Sequence, residues 1–111
     1  MTIINSVLIA NRGEIAIRIS KTLNEMGIKA YGIYSKDDSS SAHLSYCSEV
    51  FELNGTGPSA YLNIDEIISL AKSKKIKAVH PGYGFLSENH AFAASCAKND
   101  LSLIHISEPT R

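Results

Sequence analysis

The feature that most restricts the fold is a short apolar run followed directly by a helical pattern. Ser6–Ala10 (SVLIA) is too short for a helix, and its continuous apolar character predicts a β-strand buried on both faces, as in a parallel sheet. Asn11-Arg12-Gly13 breaks the run, and from Glu14 onward the apolar period becomes helical. Gly27 is expected to end this helix in a left-handed conformation. The predicted buried stripe of the helix comprises Ile15, Ile19, Leu23 and Met26.

The alternation of strand-like and helical segments continues along the chain. Further strands are predicted at Ala30–Tyr34, Glu49–Leu53 and Lys77–His80. Glu49–Leu53 alternates in polarity, so this strand is expected to be more exposed and nearer an edge of the sheet. A short helical turn is predicted over Ala42–Cys47.

Two more helices are indicated by capping residues and apolar stripes. Asn63 is placed to cap the second helix, and Glu66 lies three residues later in capping-box position. Ser87 is placed to cap a third helix that runs to about Lys98. The predicted buried positions are Ile64, Ile67, Ile68 and Ala71 in the second helix, and Ala91, Phe92, Ser95 and Cys96 in the third.

Strands separated by helices predict an α/β fold, a Rossmann-like doubly wound parallel sheet. In the common strand order 3-2-1-4, the first and fourth strands are neighbours and their connections leave in opposite directions. Ligands bind at such a switch point, outside the carboxyl ends of the strands. The loops Asn11-Arg12-Gly13 and Pro81–Glu88 would therefore flank one crevice.

Composition excludes several functional classes. The chain carries 11 Lys and Arg against 11 Asp and Glu, so its zero net charge gives no support for nucleic-acid or polybasic membrane binding. Neither a membrane span nor a signal peptide is indicated by the sequence. Cys47 and Cys96 are isolated cysteines, so we expect no disulfide framework, and a cytoplasmic location.

The crevice does not carry a familiar cofactor motif. A dinucleotide site needs three glycines after the first strand, but only Gly13 precedes Gly27, and Asp37 alone is weak support for ribose binding. Histidine and cysteine spacings predict no metal site, and we expect His80 to hydrogen-bond a turn at its strand end.

Local sequence alone leaves two possible roles open for each of two residues, Arg12 and Tyr83. Arg12 can form a surface ion pair with Glu14 or another neighbour, or it can serve the crevice. Tyr83 can fold back on Phe85, or it can line a binding site between its two flanking glycines.

Three blocks carry a family resemblance: Ile9–Ala16 with Arg18, Ser59–Ile64, and His80–Asn89. Together, in this order, they resemble the N-terminal subdomain of biotin carboxylase, a domain of the pre-ATP-grasp type, over about residues 3 to 100. The family includes the biotin carboxylase subunit of acetyl-CoA carboxylase, which serves fatty acid biosynthesis. It also includes the corresponding parts of pyruvate, propionyl-CoA, methylcrotonyl-CoA and urea carboxylases.

The resemblance implies an ATP-dependent ligase that carboxylates biotin on a carrier protein, using bicarbonate and Mg²⁺. In this family the ATP-grasp lid, the magnesium carboxylates and the bicarbonate-binding arginines lie downstream of this subdomain. We therefore expect the chain to be a truncated fragment that holds no catalytic or metal-binding residue and is inert alone. The full-length parent would form a homodimer.

The resemblance also implies roles for individual residues. Tyr83 and Gly84 match the loop at the edge of the biotin pocket. Lys21 and Glu25 match a helix of the bacterial dimer interface, but Lys21 stands where the family commonly has arginine and cannot reproduce a forked pairing. A scaffold role that ties the first loop to neighbouring domains is implied for Arg12, Glu14 and Arg18.

The end of the chain departs from the family pattern. Residues 101–111 resemble a frame translation of a transposon-end adapter used in sequencing libraries, so we expect the native domain to span residues 1–100. The alternative is a divergent strand, because Leu101, Leu103, Ile104 and Ile106 have strand character. Two other functions remain open: the N-terminal domain of another ATP-grasp ligase, and a free-standing module that binds a nucleotide or biotin.

Overall fold

The computed structural model describes residues 5–82, 86 and 89–104. Within this part of the chain, strands and helices alternate as the sequence predicts. The strands are β1 (Ser6–Ile9), β2 (Lys29–Tyr34), β3 (Glu49–Glu52), β4 (Ala78–His80) and β5 (Ser102–Leu103). The α-helices are α1 (Gly13–Glu25), α2 (Ile64–Ser73) and α3 (His90–Lys98). Short 3₁₀ helices occupy Lys36–Asp38, Ala42–Tyr46 and Pro58–Leu62, and the second of these confirms the predicted helical turn.

The strands form one parallel sheet in the order β3-β2-β1-β4-β5. The predicted order of the first four strands and the predicted α/β architecture are confirmed. β1 pairs with β2 on one side and with β4 on the other, so it lies at the centre of the sheet. β5 pairs with β4, where Ile104 N donates to the Val79 carbonyl at 2.9 Å.

Alternate residues of the buried strands divide the core into two layers. On one face Val7 and Ile9 pack with α1, and on the other Leu8 and Ala10 pack with α2 and α3. The α1 layer is completed by Ala16, Ile19, Leu23, Ala30 and Ala78. The opposite layer includes Tyr61, Ile67, Ile68, Ala71, Val79, Phe92 and Cys96. Helices on both faces make the sheet doubly wound, as predicted.

The buried stripe of α1 differs from the prediction at its end. α1 ends at Glu25, and Met26 is 65% exposed, so the prediction that Met26 is buried was wrong. Met26 forms the cap of the helix, three residues before the chain enters β2, and Ser20 takes a place in the buried stripe. The predicted left-handed end is confirmed, because Gly27 has a φ of +77°.

The caps of α2 and α3 also show what local sequence leaves undetermined. Asn63 caps α2 by accepting from Glu66 N at 3.1 Å, as predicted, but Glu66 Oε2 accepts from Asn54 N instead of completing the capping box. α3 begins at His90 with Asn89 as its cap, so the prediction of Ser87 as the cap was wrong. In α3, Phe92 and Cys96 are buried as predicted, Ser95 is partly buried, and Ala91 is exposed, contrary to the prediction.

The end of α1 provides a direct test of this packing. Replacing Leu23, which is 7% exposed in the α1 layer, by alanine should lower the free energy of unfolding by about 2 to 4 kcal/mol, because it leaves a cavity. Met26→Ala, three residues further along the chain at the exposed cap of α1, should change this free energy by less than about 0.5 kcal/mol. Urea unfolding of the two variants measures both values, and a larger loss for Met26→Ala would contradict the helix orientation.

Candidate functional site

The two loops predicted to flank a crevice are in direct contact at the carboxyl edge of the sheet. Asn11, which follows β1 and is 2% exposed, donates from Nδ2 to the Pro81 carbonyl at 2.7 Å. Its Oδ1 accepts from Arg12 N at 2.8 Å. Ala10 N donates to the His80 carbonyl at 2.9 Å, which extends the β1–β4 pairing to the start of both loops. The switch point inferred from the sequence is therefore present.

Gly82, in the loop after β4, packs closely against the loop after β1. It has a φ of +69°, and a Cβ built there would lie 2.8 Å from both Asn11 Nδ2 and Ile15 Cγ2. Glycine is thus required by both backbone conformation and space. Gly82 N donates to His80 Nδ1 at 3.1 Å, which confirms that His80 hydrogen-bonds a turn and requires that this ring nitrogen carries no proton.

Tyr83 and Gly84, the residues that the family resemblance assigns to a biotin pocket, lie outside the described part of the chain. Their neighbours Pro81 and Gly82 lie at the crevice. On the far side of the loop, Leu86 is buried in the core and Asn89 caps α3.

Arg12 forms an ion pair, but its partner is not Glu14. Its guanidinium contacts Asp38 in a forked arrangement, with Nε to Oδ2 at 2.6 Å and Nη2 to Oδ1 at 2.9 Å. Asp38 lies 26 residues further along the chain, after β2. The ion pair expected for Arg12 therefore joins two crossover loops instead of neighbours on one helix.

Asp38 collects further donors that fix its carboxylate. Ser41 Oγ donates to Oδ1 at 2.8 Å, and the Tyr61 hydroxyl donates to Oδ2 at 2.8 Å. The hydrogen bond and charge of Arg12, together with these hydroxyls, hold the pKa of Asp38 well below its usual range, although partial burial opposes the shift. A carboxylate with four donors remains ionised at neutral pH.

Tyr61 links the third crossover segment to the first two. Its side chain is fully buried between sheet and helices, and its hydroxyl accepts from Ser35 N at 3.1 Å while donating to Asp38. Burial is the main cause that raises the pKa of the Tyr61 phenol. Through Arg12, Asp38 and Tyr61, the segments that follow β1, β2 and β3 are joined into one polar cluster, which we call the loop clasp.

Asp37 lies beside the loop clasp and also has an internal role. Gly57 N donates to its Oδ1 at 2.9 Å and Ser35 Oγ at 2.6 Å, and these bonds lower its pKa. The clasp borders a shallow cavity of about 180 Å³, lined by Arg12, Ser35, Asp37, Asp38, Gly57, Pro58 and Tyr61. Because Asp37 orders the loop at Gly57, a structural role accounts for this acid better than ribose binding does.

The other residues singled out by resemblance lie along α1. Glu14, Arg18, Lys21 and Glu25 are all exposed. Lys21 Nζ lies 5.5 Å from the centroid of the Tyr46 ring, within the range of a cation–π contact. The structure thus brings Arg12 to the carboxyl edge and leaves these four side chains on the surface of the helix.

The loop that holds Asn11 was predicted to flank the crevice, but the contacts of the Asn11, Asp38 and Tyr61 side chains were not predicted from the sequence. Each had a partial signal, because Asn11 directly follows a buried strand, Asp38 lies in the polar loop after the second strand, and Tyr61 lies within the second resemblance block. None of these signals identifies a partner, since the contacts join residues 23 to 70 positions apart.

The described part of the chain holds neither a metal-binding cluster nor a membrane-spanning helix. Across residues 5–82, 86 and 89–104, no three His, Cys, Asp or Glu side chains are grouped to hold a metal ion. In the same part of the chain, none of the helices is long and apolar enough to cross a membrane. Cys47 and Cys96 are both free, and burial raises the pKa of the Cys96 thiol to about 11, which makes it unreactive at neutral pH.

Comparison with known proteins identifies close relatives. The family described as biotin carboxylase, N-terminal domain, matches residues 3–108. Pyruvate carboxylase of Bacillus subtilis is 48% identical over 104 residues, which cover 91% of this chain and 9% of the relative. Biotin carboxylase of Halalkalibacterium halodurans is 47% identical over 100 residues, which cover 88% of this chain and 22% of the relative.

A solved structure supports the same relationship. The biotin carboxylase domain dimer of Hydrogenobacter thermophilus 2-oxoglutarate carboxylase, in complex with MgADP, ADP and bicarbonate, matches with a TM-score of 0.88. Sequence identity is 36%, and the match covers 93% of this chain and 23% of that one. The chain therefore spans less than a quarter of the length of each of these proteins.

The loop clasp predicts a specific dependence of stability on pH. Asp38→Asn should lower the free energy of unfolding at pH 7 by about 1 to 2 kcal/mol, since the charged hydrogen bonds are lost but Arg12 is 44% exposed and partly screened. The folded-state pKa of Asp38 is depressed, so its contribution is fully present above the unfolded value near 4 and is lost as pH falls below it.

The difference between wild type and Asp38→Asn should therefore shrink as pH is lowered from about 4 towards 2. Urea unfolding across this range measures it, with Glu49→Gln on the exposed edge strand β3 as a carboxylate control that should cost less than about 0.5 kcal/mol. A difference that stays constant down to pH 2 would contradict the role of the Asp38 charge.

Proposed function

This chain belongs to the family of biotin carboxylase N-terminal domains, and we propose that it forms the first domain of an ATP-dependent biotin carboxylase. The observation that carries the proposal is the family match over residues 3–108, which includes both loops of the crevice. In the proposed reaction, bicarbonate takes the terminal phosphoryl group of ATP, which gives carboxyphosphate and ADP. Carboxyphosphate then splits into CO2 and phosphate, and the CO2 is added to a ring nitrogen of biotin on a carrier protein as that nitrogen loses its proton. Mg²⁺, held by domains downstream of this chain, would neutralise the charge of the ATP phosphates.

The proposal divides the work between this domain and the rest of the parent enzyme. We assign the ATP, Mg²⁺ and bicarbonate sites to domains downstream of this chain, so the chain alone should be inactive. The acids at the carboxyl edge, Asp37 and Asp38, fit this division, because their carboxylate oxygens already accept hydrogen bonds within the chain. The donors are Arg12, Ser35, Ser41, Gly57 and Tyr61.

The contribution of this domain is one wall of the biotin pocket. We assign that wall to Tyr83 and Gly84, which directly follow the two residues that contact Asn11 at the switch point. An aromatic ring and a backbone without a side chain suit the neutral ureido and thiophane rings of biotin.

Partners follow from the same proposal. A biotin carboxyl carrier protein or domain would present biotin to the crevice, and bicarbonate would be the second substrate. We propose that the parent is a homodimer and that Lys21 and Glu25, both exposed on α1, lie in its interface. Arg12, Glu14 and Arg18 would contact neighbouring domains, with Arg12 already oriented by Asp38. The free thiols of Cys47 and Cys96 fit a reducing cytoplasm.

The final acceptor of the carboxyl group lies outside the proposal. The relatives described above include a pyruvate carboxylase and a 2-oxoglutarate carboxylase, so this domain accompanies different acceptors. In this architecture the acceptor is chosen by a separate component, and acetyl-CoA is one of the acceptors known for the wider family.

The proposal is tested in the complete enzyme that carries this chain. Free biotin should stimulate bicarbonate-dependent ATP cleavage, and Tyr83→Ala should raise the KM for free biotin roughly tenfold, which is the loss expected for one aromatic contact. The KM for ATP should stay unchanged because the ATP site lies in other domains. Val50→Ala, which shortens an exposed apolar side chain on the edge strand β3, two strands away from β1, is the control and should change neither KM more than about twofold.

Two results would contradict the proposal in different ways. ATP cleavage that never responds to biotin would favour another ATP-grasp ligase. An unchanged KM for biotin in Tyr83→Ala would remove the pocket assignment and leave the family membership intact.

We also propose that residues 1–100 are the native domain and that residues 101–111 are non-native. The family match extends to residue 108 and favours the alternative of a divergent strand. The pairing of β5 with β4 is compatible with either origin, because apolar β-forming residues beside an open sheet edge will pair. Sequencing the source DNA past the Asp100 codon should reveal adapter sequence at that point. Continuous native coding sequence through residue 111 would overturn this part of the proposal.

A further inference from the structure

We propose that Asn11 is a positioning residue for the loop that begins at Pro81, and that it sets where this loop meets biotin. The proposal rests on the function proposed above, in which the loop residues Tyr83 and Gly84 border the biotin pocket. Asn11 itself is not assigned to contact biotin, ATP or bicarbonate.

The hydrogen bonds of Asn11 give its carboxamide a fixed orientation. Nδ2 donates to the Pro81 carbonyl at 2.7 Å, and Oδ1 accepts from Arg12 N at 2.8 Å. A carbonyl can only accept and an amide N–H can only donate, so rotating the carboxamide by 180° would break both bonds. The side chain is 2% exposed, which makes an unsatisfied partner costly.

The other side of the contact is equally restricted. Proline has no backbone N–H, so its carbonyl is the only backbone group through which Pro81 can be held by a hydrogen bond. Gly82 then packs so closely that an added Cβ would lie 2.8 Å from Asn11 Nδ2 and from Ile15 Cγ2. The start of the loop therefore has one position relative to Asn11 and α1.

The far end of the loop is held by different contacts. Leu86 is buried in the layer with α2 and α3, and Asn89 Oδ1 accepts from Phe92 N at the start of α3. A shift at Pro81 would move Gly82, which directly precedes Tyr83 in the sequence, while the start of α3 stays in place. Asn11 is thus placed to set the position of the residues that directly precede the proposed biotin wall.

Asn11→Asp isolates this effect because it keeps the shape of the side chain. An aspartate oxygen can still accept from Arg12 N, but the carboxylate cannot donate to the Pro81 carbonyl and repels it. Gly82→Ala disturbs the same contact from the opposite side, since its Cβ would collide with Asn11 and Ile15. Asn89→Asp is the matched control, because the cap of α3 uses only the side-chain oxygen, which aspartate retains.

The experiment compares these variants with Tyr83→Ala in the complete carboxylase. Asn11→Asp should raise the KM for free biotin roughly three- to tenfold, the factor expected for one hydrogen bond, and leave the KM for ATP unchanged. Gly82→Ala should also raise the KM for free biotin and leave the KM for ATP unchanged. It provides the test if Asn11→Asp does not fold. Asn89→Asp should leave both constants unchanged. Amide hydrogen exchange at Gly82 should be faster in Asn11→Asp and Gly82→Ala, but not in Asn89→Asp.

The outcomes separate this proposal from the one on which it rests. If Tyr83→Ala raises the biotin KM while Asn11→Asp and Gly82→Ala leave it unchanged, the positioning role is overturned and the proposed function stands. If Tyr83→Ala has no effect on the biotin KM, the pocket assignment fails and the positioning role falls with it. An equal rise in the KM for ATP and for biotin would indicate a general structural role and would also overturn the proposal.

Discussion

The structure depends on the burial of β1 on both faces of a parallel sheet. Val7 and Ile9 face α1, Leu8 and Ala10 face α2 and α3, and all four are inaccessible to solvent. Because β1 also pairs with β2 and β4, its backbone is fully enclosed. A strand in this position ends where two crossover connections diverge, so the residues directly after it are brought to the switch point.

At that switch point the loops are held by polar side chains more than by apolar burial. Asn11 joins the loops after β1 and β4, and the loop clasp of Arg12, Asp38 and Tyr61 joins the segments after β1, β2 and β3. Hydrogen bonds of defined direction fix loop positions more narrowly than apolar contacts do, because each donor must meet its acceptor. Asn11, Arg12 and Pro81 are already held by these bonds, so a ligand that bound against them would not have to order them, which would lower the cost of binding.

The alternation of strand-like and helical segments predicted the doubly wound sheet, and the common strand order 3-2-1-4 for such sheets then predicted the crevice. Local sequence patterns failed where they did not determine which residue begins or ends a helix. Serine and asparagine both cap helices, and in the structure Asn89, two residues after the predicted Ser87, caps α3 by accepting from Phe92 N. Met26 fits the helical period of α1 but lies beyond its last turn.

The partners within the site were harder to predict for a similar reason. A glutamate three residues after the cap completes a capping box in many helices, yet here Glu66 Oε2 accepts from Asn54 N at 2.8 Å. Arg12 has an acid two positions away at Glu14, but its forked guanidinium is matched by Asp38, 26 residues distant, because the ends of β1 and β2 are adjacent. Such pairings are set by the order of strands in the sheet, so they become predictable only after the topology is known.

A crystal structure of the complete carboxylase with biotin and bicarbonate tests the central claim most directly. The account predicts biotin at the carboxyl edge of this sheet, in contact with Tyr83 and Gly84, with Asn11 Nδ2 still bonded to the Pro81 carbonyl near 2.7 Å. Biotin bound away from this edge, or an Asn11 side chain turned away from Pro81 in the bound state, would contradict it.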